Sequence, residues 1–345
     1  MISNKDLDLS WVNSIKGISI IGVFLVHTYS QLPLIANFSP FSMIAVNGRL
    51  GAHVFYLLSG FLMCVSYYKK TYATKKVFFV RKAMRLLPLV WIVSFLKYTA
   101  IGGYTNKVAI VASLFFADVI YPRWWGYIHN GWVSVLVLLY FLFVLFIDRV
   151  NTLKKAIAVA FIAWYGSIIG WYLLKLTHDE IIANWGGYIL LGIRNFAFGI
   201  LLYYILINYQ NVLKQQPKYK ANLLLLVSLS YLFIHIVFDK CLYLENIYAE
   251  FVLAIVVIII SLVILKNKVL INPMWDFFGK YSYGIFLLHL TLPGCFPSLE
   301  FSNPYLNVLV LFGISVLGSY GFYHMIEKPL LQYIDKKVFK RILEK

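Results

Sequence analysis

The sequence has few charged residues, very few acids, and no paired cysteines. Charged residues make up 13% of the 345 positions, and only 14 are acidic against 31 basic. The three cysteines, Cys64, Cys241 and Cys295, show no CxxC spacing, so neither a disulfide framework nor a metal site follows. The sequence has no GxxxxGKS/T, GxGxxG, HExxH or GxSxG motif. Chemistry based on nucleotide hydrolysis or on zinc is therefore unsupported.

Apolar residues dominate what remains. Hydrophobic residues make up 61% and aromatic residues 18% of the chain, and the mean hydropathy is +0.77. This composition is typical of integral membrane proteins rather than soluble ones. Ten long apolar runs are each about the 17–25 residues that cross a bilayer as a helix. They lie near 15–34, 51–68, 78–100, 131–147, 156–175, 188–209, 222–239, 247–265, 279–296 and 305–327.

The distribution of positive charge predicts the topology. Lysines and arginines cluster after the second, fourth, sixth, eighth and tenth runs, and cytoplasmic loops carry such an excess. All clusters face the cytoplasm only if the shorter run 108–121 is re-entrant or interfacial. The N-terminal MISNKDLDLS precedes no cleavage site, so the first run is a retained span. We predict a single all-α domain over 1–345, a polytopic transmembrane helical bundle of about ten spans with both termini cytoplasmic. The net charge of +17 then reflects topology rather than binding to nucleic acid.

Lys16 and His27 both lie in the first apolar run. Eleven residues turn an α-helix by about three turns plus 20° and rise about 16 Å, so the two side chains share one face near opposite sides of the membrane. An ionisable side chain inside the bilayer is costly and marks a functional site by default. The pair predicts a site that handles charge or protons.

Arg81, Lys82 and Arg85 follow a lysine-rich loop. Arg81 and Arg85 are four residues apart and project from one helix face. They are either ordinary cytoplasmic flanking charge or a clamp for a phosphorylated cytoplasmic ligand, since the guanidinium fork suits phosphate oxygens.

Four further polar residues interrupt apolar runs. His53 is expected near the outer end of the second span, close in depth to His27, where two histidines could shuttle a proton. Ser59 is expected to pack or to hydrogen-bond between helices. His289 fits a core histidine as well as a site residue, and Glu327 has a topological role by default.

Taken in order, these segments resemble acyltransferase family 3, the integral membrane O-acyltransferases of surface sugars. The first helix of that family has a basic residue and glycine eleven positions before a histidine, as in Lys16 and His27. Lysine replaces the usual arginine, and His53 stands where an acid is common. The WSLxxE motif appears as Trp132-Val-Ser without its glutamate. The other matching segments are Gly51–Leu62 with Ser59, Arg81 to Pro88, Gly279–His289 with Tyr283, and Glu327 to Pro329.

The resemblance implies transfer of an acyl group, usually acetyl, from cytoplasmic acyl-CoA to a hydroxyl of an extracytoplasmic or lipid-linked sugar or polysaccharide. Acetyl-CoA would be a donor substrate, with no permanently bound cofactor. It implies that Arg81, Lys82 and Arg85 bind the donor, and that His27, with Lys16 and His53, forms the catalytic group. Ser59, Trp132, Tyr283, His289 and Glu327 are secondary candidates. The implied location is the bacterial cytoplasmic membrane, among lipids. A transporter or flippase for lipid-linked sugars is the alternative.

Overall fold

The described part of the chain is helical and contains no strand, which confirms the all-α prediction. The structure is a computed structural model. It describes residues 7–29, 32, 37, 39–69, 74–101, 106–124, 131–238, 250–265, 271–295 and 302–334. The predicted tail cations after 334, together with Cys241, Lys70, Lys266 and Lys268, lie outside these residues.

Thirteen α-helices are assigned in these ranges, and we number them in chain order. Short 3₁₀ turns join several of them, and α13 continues through a π-helical stretch, Tyr323–Glu327, into further helix up to residue 334. The helices are α1 (Ser10–Thr28), α2 (Ser39–Val46), α3 (Leu50–Tyr68), α4 (Lys75–Ile101), α5 (Lys107–Leu114), α6 (Trp132–Phe146), α7 (Leu153–Lys175), α8 (Glu180–Lys214), α9 (Lys218–Phe238), α10 (Glu250–Leu265), α11 (Pro273–Lys280), α12 (Ser282–Cys295) and α13 (Pro304–Phe322).

Within the described residues, six helical stretches are long and apolar enough to cross a membrane, as in a polytopic membrane protein. They are Ser10–Thr28, Ser42–Tyr68, Trp132–Arg149, Leu153–Lys175, Glu180–Lys214 and Pro304–Ile334. Each of the ten predicted runs overlaps a helix, but the count of about ten spans is not confirmed. In the ambiguous run 108–121, α5 has eight residues and ends in 3₁₀ turns. It rises only about 12 Å, too little for a hydrocarbon layer of about 30 Å.

The longest helix, α8, packs most extensively against α3 and α7. Glycines allow its close approach to α3, as small residues do between membrane helices. A Cβ on Gly199 would lie 1.9 Å from the Leu57 carbonyl oxygen, and one on Gly60 would lie 2.1 Å from that of Phe196. Larger side chains at these two positions would force the helices apart.

Helix α1 is held between α3 and α11. A Cβ on Gly48 would lie 2.0 Å from the Gly22 carbonyl oxygen, and one on Gly51 would lie 2.2 Å from that of Ser19. These contacts fix the antiparallel register of α1 and α3. On the other side of α1, Gly279 of α11 approaches the backbone of Asn13 equally closely.

Polar contacts gather the lysine-rich segment ends at one end of the bundle. The Tyr67 hydroxyl donates to Asp148 over 2.6 Å, and Asp148 also pairs with Lys75. The backbone N–H of Asp8 donates to the Gln210 side chain over 3.1 Å. We call this the basic end, since it carries the described cations of the predicted cytoplasmic loops, and it is the predicted cytoplasmic side. Those cations are Lys69, Lys75, Lys76, Arg149, Lys154, Lys155, Lys214, Lys218 and Lys220.

Candidate active site

A cavity of about 270 Å³ lies between α1, α3, α4, α6, α11 and α12. Helix α3 forms its longest wall through one stripe of residues at helical spacing, from Ala52 to Ser66. Fourteen residues of α-helix rise about 21 Å, so the cavity runs from the basic half of the bundle to its middle. The α3 residues are Ala52, Phe55, Tyr56, Ser59, Leu62, Met63 and Ser66.

Four cationic side chains line this cavity. They come from three separate helices: Lys16 from α1, Lys82 and Arg85 from α4, and Lys280 from the end of α11. The ammonium group of Lys82 donates to the Ser66 hydroxyl over 3.0 Å. Such a concentration of positive charge at the depth of a membrane helix requires negative charge nearby, because an uncompensated ion there is costly.

Part of that negative charge comes from Glu327, at the end of the π-helical stretch that follows α13. The Arg85 Nε donates to Glu327 Oε1 over 2.7 Å. The Glu327 side chain is 7% exposed and the Arg85 side chain 45% exposed, so the carboxylate is buried behind a guanidinium that faces open space. Single π-helical turns often occur at functional sites because they redirect side chains. The described cavity lining contains four cations and no carboxylate, and Glu327 pairs with only one of these cations, so the surroundings favour an anionic ligand.

Hydroxyl groups also line the cavity, near Arg85. Tyr140 of α6 and Ser59 of α3 lie close together in the cavity wall. The Tyr283 hydroxyl donates to the Leu86 carbonyl over 2.7 Å and so joins α12 to α4. Ser59 therefore lies at the contact between α3 and α6.

An aromatic layer closes the end of the cavity away from the basic end. The Trp132 ring stacks on Tyr56, with 5.1 Å between ring centroids, and lies edge-on to Tyr188 at 5.0 Å. The Tyr56 hydroxyl donates to the Trp132 carbonyl over 3.0 Å. His53 lies behind this layer, its ring centroid 6.2 Å from that of Trp132.

His53 is buried between α3 and α8 and forms a polar pair there. Its Nδ1 lies 3.1 Å from Asn195 Nδ2, and Arg194 of the same helix is close enough to interact with it electrostatically. The three side chains are between 1% and 7% exposed. Since Gly51 meets Ser19, His53 lies at least eight residues, about 12 Å, deeper than His27. The expected pairing of His53 with His27 is therefore not formed.

His27 lies next to a different histidine. Its ring centroid is 5.3 Å from that of His289 on α12. His27 is exposed at the surface of the bundle, whereas His289 is 3% exposed and packs against Phe24 and Phe286. The His289 Nδ1 lies 3.0 Å from the Ile285 carbonyl oxygen. A carbonyl only accepts, so this bond places the His289 ring proton on Nδ1.

The structure thus divides the predicted residues into two groups. The cavity collects most of them, and Glu327 reaches it through Arg85. Arg81 lies one turn nearer the basic end and is not among its described lining residues. His27 and His289 lie beyond its aromatic layer. The predicted residues at the cavity are Lys16, Ser59, Lys82, Arg85, Trp132 and Tyr283.

Sequence reasoning missed Lys280, Tyr140, Arg194 and Asn195. Lys280 sits at a helix boundary, where a lysine is hard to distinguish from a topological signal. The signal for Arg194 was present, because it interrupts the apolar run 188–209 just as His27 interrupts the first run. Tyr140 carries no sequence signal of its own, since tyrosine is common in this chain.

Comparison with known proteins gives the class. The family model of the acyltransferase 3 domain matches residues 9–324, nearly the whole chain. The chain therefore belongs to this acyltransferase family, as the motifs predicted. Searches of the curated proteins and of the solved structures found no match to this chain.

Proposed function

We propose that this membrane acyltransferase takes an acyl group, usually acetyl, from cytoplasmic acyl-CoA and transfers it to a hydroxyl of an extracytoplasmic or lipid-linked sugar. One observation carries the proposal: four cations from three helices converge on a single cavity that extends into the basic half of the bundle. Coenzyme A is a polyanion with a neutral thioester arm. Its phosphates match the cations, and its arm matches the apolar and hydroxyl-lined remainder of the cavity.

The negatively charged phosphates of the donor would neutralise the cations of the cavity that Glu327 does not pair with. Arginine and lysine bind phosphate oxygens through charge-assisted hydrogen bonds, which are about twice as strong as neutral ones. Arg85 is suited to this role because Glu327 holds its Nε while its remaining N–H groups face open space. Lys82 and Lys16 lie on adjacent walls. The donor would therefore be gripped at its phosphates, with the thioester directed toward Trp132.

His27 is proposed as the general base for the acceptor hydroxyl. The imidazole takes the hydroxyl proton while the oxygen attacks the thioester carbonyl carbon. The carbon–sulfur bond then breaks, and the leaving thiolate accepts the proton. Alternatively, His27 carries the acyl group briefly before the acceptor arrives. His27 is exposed and lies beyond the aromatic layer. This position supports contact with an acceptor that approaches from the side of the membrane away from the basic end.

The test uses purified protein in lipid nanodiscs with labelled acetyl-CoA and glycan acceptors. Wild type should release coenzyme A and label the glycan, His27→Asn should abolish both, and Arg85→Gln should weaken donor affinity. His178→Asn and Arg149→Gln are matched controls, since both residues are exposed and outside the cavity. If wild type consumes no thioester with any acceptor, the proposed function is wrong. The alternative, a transporter or flippase for lipid-linked sugars, would then be tested. Normal transfer by His27→Asn would refute the role of that residue alone.

A further inference from the structure

A second, more open groove of about 520 Å³ lies beside the cavity at the basic end. It is formed by the first turns of α1 and by α11, and its size falls within the usual range for small-molecule sites. Its lining residues are Ser10, Ser14, Ile271, Asn272, Pro273, Asp276, Phe277, Lys280 and Tyr281. None of the predicted site residues is among them.

One face of α11 forms the floor of this groove. Pro273, Asp276, Phe277 and Lys280 are spaced three, four and seven residues from the first, which places them on a single helical stripe about 10 Å long. The helix is held rigidly. The Asn272 side chain accepts from the backbone N–H groups of the first turn over 3.0 and 3.1 Å, and Gly279 rests on the α1 backbone.

Lys280 belongs to both the groove and the cavity. Its ammonium group lies 5.0 Å from the Tyr323 ring centroid and 5.4 Å from that of Tyr281, a cation–π arrangement that orients the side chain. The basic cavity and the groove therefore adjoin at this lysine. A ligand whose phosphates lie among Lys82, Arg85 and Lys280 would extend its next chemical group over Phe277.

The groove beyond Lys280 has the chemistry of a base-binding site rather than of another phosphate site. Phe277 is 39% exposed and offers an accessible ring. Asp276 supplies carboxylate oxygens, one of which accepts from Asn13 Nδ2 over 3.1 Å. A carboxylate repels phosphate but accepts from the exocyclic amine of a purine. Ser10, exposed in the first turn of α1, adds a hydroxyl group on the facing wall.

We propose that this groove between α1 and α11 binds the purine base of a nucleotide-containing acyl donor, while the cations of the cavity hold its phosphates. The assignment rests on the proposed function, in which the donor is acyl-CoA. The purine lies against Phe277, Asp276 accepts from its amine, and Lys280 marks the boundary between base and phosphates. The donor then lies along the bundle from the α11 groove to the aromatic layer at Trp132.

The experiment compares two probes, coenzyme A and 4′-phosphopantetheine, which shares the arm and a phosphate but lacks the nucleotide. Their dissociation constants are measured with purified full-length protein in nanodiscs. In Phe277→Ala, coenzyme A should bind about tenfold more weakly because one base–aromatic stack is lost. Binding of 4′-phosphopantetheine should stay unchanged. Met274→Ala is the control, since Met274 is an exposed residue of α11 that does not line the groove.

A second variant guards against a folding defect at Phe277. Ser10→Trp, at an exposed position in the first turn of α1, would fill the groove and should also weaken coenzyme A selectively. Equal weakening of both probes by either variant, or full affinity of both variants for coenzyme A, would overturn the groove assignment. If wild type binds neither probe, acyl-CoA is not the donor and the proposed function fails. This outcome is distinct from the two that overturn only the groove assignment. Arg85→Gln should weaken both probes.

Discussion

The ion pair between Arg85 and Glu327 makes the sharpest prediction about donor binding. Glu327 is an anion beside a site proposed to bind a polyanion. If only its charge mattered, removing it would strengthen donor binding. The structure predicts the opposite, because the carboxylate fixes the guanidinium through a 2.7 Å hydrogen bond from Nε. We therefore expect Glu327→Ala to weaken binding and Glu327→Gln to preserve most of it.

The expected size follows from the exposure of the two partners. A hydrogen bond to a charged group contributes about 1.5–3 kcal/mol. The Arg85 side chain is 45% exposed, so solvent reduces its share and the lower end of that range applies. A loss of about 1.4 kcal/mol corresponds to about tenfold weaker donor binding in Glu327→Ala. The amide oxygen of Glu327→Gln still accepts from Nε, so its change should stay within about threefold.

The measurement is a titration of coenzyme A against purified protein in nanodiscs. Circular dichroism and gel filtration confirm that each variant is folded. Glu180→Gln is the matched control, since Glu180 lies in the exposed first turn of α8. Donor binding by Glu327→Ala that equals or exceeds that of wild type would refute the reasoning, because Glu327 would then act through charge alone.

Three further predictions test packing, the serine and the histidine pair. Gly199→Ala should cost about 1–3 kcal/mol in free energy of unfolding, since its Cβ would overlap the Leu57 carbonyl, whereas Gly166→Ala, which meets open space, should change stability by less than about 1 kcal/mol. Ser59→Ala should lower activity only modestly, and complete loss with normal expression would make Ser59 a site residue. His289→Asn should slow transfer at least about tenfold through misplacement of His27, with donor affinity unchanged, and equal rates would show that the histidine contact is incidental.

The helices and the charged residues that line the cavity could be predicted because both depend on local sequence pattern. An apolar run of sufficient length forms a helix wherever it lies, and each predicted run overlaps one. Arg85 was found because it lies four residues after Arg81 on one helix face, and Lys82 because it is next to Arg81 in the sequence. Lys16 was found because an ionisable residue stands out in an apolar run. None of these inferences needed knowledge of which helices are neighbours.

The histidine partners could not be predicted because they depend on helix register. His53 was expected opposite His27, on the assumption that α3 begins near residue 51. The helical span instead begins at Ser42, so His53 lies near its middle and meets α8 rather than α1. The actual neighbour of His27 is His289, which is 262 positions later in the sequence. Glycine contacts at Gly48 and Gly51 set this register, and no sequence motif reports their depth.

The depths of the cavity residues and of the His27–His289 pair in the membrane bear on how both could serve one reaction. A hydrocarbon layer is about 30 Å thick, and the cavity follows α3 for about 21 Å. A donor in this cavity would therefore extend from the basic half of the bundle to its middle without any helix moving. The remaining distance separates the stacked rings of Trp132 and Tyr56 from His27. Under the proposed function, acyl transfer requires these rings to shift, or the acceptor hydroxyl to reach inward past His27. Substituting Trp132 should therefore affect the transfer rate more than donor affinity, and kcat measured separately from the donor dissociation constant would reveal this.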